Sequence, residues 1–96
     1  MRHKEKYDEV YGATAHHRYI CFEKEDKLIS NDEMKILIDS SSLDSRSKSI
    51  LIAWIFRDVS LSDVGKRYGF CRERARQIVN SSLRRIGIRK VYQKVI

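Results

Sequence analysis

The chain contains no hydrophobic run approaching the roughly 20 apolar residues that a membrane-spanning helix needs. Its first residues are polar and charged, which is not the pattern of a signal peptide. It has two cysteines, Cys21 and Cys71, too widely separated to form a disulfide framework, and the expected setting is a reducing cytoplasm. There is no phosphate-cradling glycine loop, no nucleophile motif and no pair of carboxylates placed for acid–base work, so no catalysis is expected. His16, His17 and Cys21 have a spacing that brings an i, i+4 pair to one side of a helix. A stable structural metal site takes four ligands, and only the distant His3 or Cys71 is left to complete one. The preferred reading is an exposed histidine pair beside a small buried cysteine, with no metal and no cofactor.

The sequence does carry positive charge, unevenly placed. Residues 1–56 hold nine Lys or Arg against ten Asp or Glu, a balance of −1, whereas residues 57–96 hold eleven against three, a balance of +8. A basic surplus confined to one half suits attraction to phosphates, because each neutralised phosphate releases counterions. Ninety-six residues allow one small domain with a modest core, which a helical protein can build without staples.

The same half contains a helix-turn-helix pattern over Ser60–Ile86. Leu61, Val64 and Tyr68 recur at helical spacing, and Gly65 on that face lets a second helix cross closely. Gly69 ends the helix in the left-handed conformation that glycine adopts freely, and Phe70 plugs the turn. A second helix starts near Cys71 or Arg72 and buries Ala75, Ile78, Val79, Ser82, Leu83 and Ile86. Its opposite side gathers Arg72, Glu73, Arg76, Gln77, Asn80 and Arg84, residue types that pair with base edges in the major groove. A solvated, charge-rich helix is the bland alternative; the preceding short helix and glycine turn favour DNA recognition.

This stretch resembles region 4 of bacterial sigma factors, the domain that reads the −35 promoter element. Arg72-Glu73-Arg74-Ala75-Arg76-Gln77-Ile78 is similar to the family's RERxRQI signature. Ser60-Leu61-Ser62-Asp63-Val64-Gly65-Lys66 resembles its TLEEIGK, and Leu83-Arg84-Arg85-Ile86 its ALRKL. Leu43-x-x-Arg46 with Ile50-Leu51 resembles the LxxRExxVL of the supporting helix. The resemblance runs from about residue 30 to 88 and implies an all-α fold, a small helical domain with a C-terminal helix-turn-helix. It implies base contacts by Arg72, Glu73, Arg76, Gln77 and Asn80. Phosphate contacts are expected from Lys66, Arg74, Arg84 and Ser60, and a TTGACA-like target follows from the family. The implied partners are double-stranded DNA and bacterial RNA polymerase, with no membrane. Two positions depart from the family pattern. Cys71 stands where a Ser or Thr caps the recognition helix, and a thiol among arginines at a helix N-terminus also admits a redox-sensing reading. Val79 and Ser81 stand where charged residues are common.

Residues 1–29 are expected to form an N-terminal extension, residues 30–90 the region 4-like domain and residues 91–96 a tail. Val10 to Phe22 reads as a weak helix or a short extended piece, and Glu23–Lys27 as a solvated charge run on a helix surface or connection. Ser30 with Glu33 forms a capping box for a helix burying Met34, Leu37 and Ile38, with Leu28 or Ile29 stapled onto Met34. A further helix over Asp44–Arg57 carries Ile50, Leu51, Trp54 and Ile55 on one side, and Trp54 reads as core rather than a base-stacking residue.

Nothing in residues 1–42 resembles the sigma segment that grips polymerase and opens the −10 element. The expectation is therefore a stand-alone region 4-like regulator, a form typical of phages and mobile elements, with antiterminators as one version. The N-terminal segment is expected to add a second contact, by forming a homodimer or by binding polymerase. The competing reading is an interaction module, anti-sigma-like or antiterminator-like, that binds polymerase or sigma and does not itself read DNA.

Overall fold

The computed structural model describes residues 6–10, Ala13 and residues 20–95. Four helices form where capping and periodicity place them. In α1 (Asn31–Ser40), the Ser30 hydroxyl accepts the Glu33 N–H at 3.2 Å while Glu33 Oε1 accepts the Ser30 N–H at 3.1 Å. This reciprocal pair satisfies two donors that the first turn leaves open. In α2 (Ser45–Phe56), Asp44 Oδ1 accepts the Ser47 N–H at 3.2 Å. Hydrogen bonding from Ser47 holds the Asp44 carboxyl below its ordinary value. The chain then turns at Asp58 into α3 (Leu61–Tyr68), capped by Ser60, whose Oγ accepts the Asp63 N–H at 3.1 Å. α4 (Arg72–Arg85) follows after Gly69, which sits at φ 77°. No proline interrupts any of them.

The chain is not all-α. Strands β1 (Lys6–Val10), β2 (Ile20–Lys24), β3 (Lys27–Ile29) and β4 (Lys90–Val95) form one antiparallel sheet in the order β1-β4-β2-β3. β4 lies in the middle: Val10 pairs with Val91 on one side, and Phe22 pairs with Val91 on the other. The N-terminal strands, expected to offer a contact to a second copy or to polymerase, thus pair with a strand of their own chain. The charge run Glu23–Lys27 is neither helix nor loose connection but the end of the β2–β3 hairpin, whose two-residue turn puts Glu25 at φ 54° and Asp26 at φ 62°. Two positive φ values suit the right-handed twist of hairpin strands, and Asn-Gly is the usual way to supply them. Glu-Asp gives no such signal, and the strands are short and heavily charged. The pairing of β4 with β1 and β2 is non-local, which no local period can announce.

The exit from α4 explains how β4 reaches the sheet. Gly87, at φ 93°, donates its N–H to Arg84 O at 3.1 Å, and Ile88 donates to Leu83 O at 3.0 Å. This is the Schellman pattern, with the apolar pair Ile88 and Leu83 both buried beneath it. β4 is then fixed to β2 by the Tyr92 phenol, which donates to Glu23 Oε1 at 2.8 Å.

The core joins both parts. Trp54 is 1% exposed, and Ile50, Leu51, Val64 and Val79 are fully buried alongside Phe22 of β2 and Val91 of β4. Burying each large aliphatic or aromatic side chain contributes about 1.5–3 kcal/mol. Trp54 is therefore scaffold and has no face to offer a base. Val79, where the resemblance led to the expectation of a charged residue, is a core residue; Ser81 is exposed. Leu28 is 52% exposed, whereas Ile29 packs against the core, so only Ile29 is placed to cover the start of α1.

Candidate nucleic-acid interface

The angle between α3 and α4 is set by a turn with little freedom. Gly65 approaches the backbone of the turn so closely that a Cβ would collide with the Phe70 carbonyl oxygen. The Gly65 carbonyl in turn accepts the Phe70 N–H at 2.8 Å. Phe70 is half-buried and packs against the core, with the Arg46 guanidinium 5.7 Å from its ring centroid. A cation over an aromatic face is attracted to it, so Arg46 is held at the turn. In the sequence Arg46 is marked only by its place in the supporting helix, and nothing local points to a role at the turn.

α4 buries Ala75, Val79, Ser82 and Leu83 and turns Arg72, Glu73, Arg74 and Gln77 to solvent. These exposed groups occupy its first two turns. Glu73 and Arg76 form a two-pronged ion pair one turn apart, with Arg76 Nε donating to Glu73 Oε1 at 3.0 Å and Arg76 Nη2 donating to Glu73 Oε2. The Arg76 hydrogen bond holds the Glu73 carboxyl below its ordinary value, and the same bond raises the Arg76 guanidinium. Arg74 reaches over to Gln77, Nη1 to Oε1, at 3.4 Å. The base-reading candidates are therefore bracketed by their own neighbours: Arg76 is held by Glu73, and Gln77 is touched by Arg74. Arg72 has the freest reach.

Lys66 is exposed in the last turn of α3, beside exposed Arg67, and both flank the turn. Ser60 is exposed, but its oxygen already caps α3. Arg84 is exposed about 12 Å farther along α4 than Arg76, at 1.5 Å per residue. Asn80 differs from the other candidates. It is half-buried, and its Oδ1 accepts the N–H of Ala13 at 3.1 Å. Ala13 is only 3% exposed. That link was not visible in the sequence, because nothing local marks Ala13 as a neighbour of α4.

Cys71 occupies the N-cap of α4 with cap-like backbone angles but makes no side-chain cap bond. Cys71 and Cys21 are both free thiols. Among the described residues no group of three or more His, Cys, Asp or Glu side chains could hold a metal ion. His3, His16 and His17 lie outside the described residues. Among the described residues no helix is long and apolar enough to cross a membrane.

The family model for Sigma-70, region 4 matches residues 41–86, from the loop before α2 through the end of α4. No curated protein and no solved structure matches the chain. The matched family is one of DNA-binding helix-turn-helix domains associated with RNA polymerase. β1, β2, β3, α1 and β4 lie outside the match. Residues 41–86 are thus a sigma region 4-like domain, set in a small chain that adds a sheet to it.

Proposed function

We propose that this chain is a sequence-specific DNA-binding transcription regulator that reads a −35-like promoter element with α4 and acts together with RNA polymerase. One observation supports the reading: the first two turns of α4 leave Arg72, Glu73 and Gln77 exposed and Arg76 partly exposed, next to a turn locked by Gly65. Arginine suits guanine, glutamine suits adenine and glutamate suits the cytosine amino group, so the set can discriminate bases. Lys66, Arg74 and Arg84 supply charge for phosphates, which set orientation but carry no sequence information. Ser60 adds a phosphate donor through its hydroxyl hydrogen, the oxygen being occupied by the cap. A cytoplasmic, nucleoid-associated location follows from such a role.

The deciding experiment is a gel shift at several salt concentrations, comparing a −35-like duplex with a scrambled one. Preferential binding that weakens as salt rises supports the reading. Equal binding to both duplexes at physiological salt overturns it. Co-purification with RNA polymerase in the absence of any duplex preference would instead identify a polymerase-binding module.

A further inference from the structure

Between Val10 and Ile20 the chain must pass from one side of β4 to the other, because β1 and β2 flank that strand. Ala13 is the one described residue of this connection, and it is buried against the core with its N–H directed to Asn80 of α4. We infer that Asn80 is a positioning residue: it fastens the N-terminal segment to the recognition helix, and base reading ends at Gln77. This rests on the DNA-reading role of α4 proposed above.

The physical argument compares two uses of one amide. A bidentate hold on adenine uses both the oxygen and the nitrogen of an asparagine side chain. Here the oxygen accepts the backbone N–H of a buried residue. Rotating the amide toward a base would take this acceptor from the Ala13 N–H, a loss comparable to what a good base contact returns. Position along the helix agrees. Asn80 sits one turn beyond Gln77 and is half-buried, whereas Arg72, Glu73 and Gln77 are exposed. The pin joins a segment outside the family match to the matched domain, so the sheet and the reading head are held as one piece.

The test measures two quantities on the full chain: preference at each base pair of a −35-like duplex varied one position at a time, and hydrogen exchange of the Ala13 amide. In Asn80→Ala, Ala13 exchange should speed up by about fivefold or more, the factor lost with one ordinary hydrogen bond. Any change in affinity should be the same for every duplex in the series. Gln77→Ala should do the reverse, flattening preference at one position while leaving Ala13 protected. Asn80→Asp keeps the acceptor and removes the amide donor. It should keep Ala13 protected and the preference profile unchanged, with affinity lowered uniformly by the added negative charge. Asn80→Asp also decides the matter if Asn80→Ala does not fold. Loss of preference at one base pair in either Asn80 variant overturns the inference, as does unchanged Ala13 exchange in Asn80→Ala. Should the native chain show no base preference at all, the DNA-reading proposal fails, while the exchange measurement still judges the pin.

Discussion

The alpha carbon of Gly65 lies against the carbonyl of Phe70 with no room for a methyl group between them. This contact sets how α3 meets α4, and so where the exposed groups of α4 point. The obstruction is backbone, which cannot swing aside as a flexible side chain would. Gly65→Ala should therefore destabilise the fold by about 1–3 kcal/mol, the usual range for overpacking, read as a lower urea midpoint. Gly69→Ala makes a useful comparison. Nothing lies near a Cβ at Gly69, so its cost should be the left-handed backbone alone, about 1–2 kcal/mol.

Cys71 has the backbone of an N-cap without its hydrogen bond. Cys71→Ser should raise stability by about 1 kcal/mol, seen as a higher melting temperature. An unchanged or lower melting temperature would mean that the thiol is already providing what a hydroxyl would.

At the reading face, Arg72→Ala and Gln77→Ala should each cost about 1–3 kcal/mol on the preferred duplex and relax choice at one base pair. Lys66→Ala should weaken every duplex alike and lower the slope of affinity against salt by about one ion. Binding series on matched and single-mismatch duplexes separate the two behaviours.

The pair Glu73–Arg76 titrates in a known direction. Its carboxyl is held below the ordinary 4.5, so what the pair contributes is present above that value and is lost as pH falls through the lower, folded one. Carboxyl chemical shifts followed by NMR should show the depressed titration in the native chain. In Arg76→Ala it should return toward the ordinary value.

Tyr92 runs the other way. The hydrogen bond to Glu23 raises its phenol above 10.0, so the contribution is complete below that value and disappears as pH rises through the folded one. Tyr92→Phe should remove this alkaline step from a plot of stability against pH. A step of unchanged size in the variant would place its origin elsewhere.

The helices were legible because their signals are local. Ser30 with Glu33, Asp44, Ser60 and Gly69 all act within a few residues of themselves, and each is found at the end it marks. Trp54 was legible for a similar reason, since its spacing from Ile50 and Leu51 puts all three on one buried stripe. The sheet was not. β4 finds its partners across most of the chain, and the Glu25-Asp26 turn adopts positive φ without the glycine or asparagine that would announce it. Arg72, Glu73 and Gln77 are exposed, and Arg76 is half-buried. What their spacing could not convey is that Glu73 already holds Arg76, or that Asn80 already has a partner from the other end of the chain.

The strand between β1 and β2 is also the one made after all four helices. During synthesis β1 leaves the ribosome with no neighbour to join and β2 can pair only with β3, and the gap between β1 and β2 stays open until residues 90–95 follow. Helices built from nearby contacts form quickly, while pairings across long separations come late. The helix-turn-helix can thus take shape on the nascent chain before the sheet closes, and any shortening that trims β4 would release β1 and bare one edge of the β2–β3 hairpin.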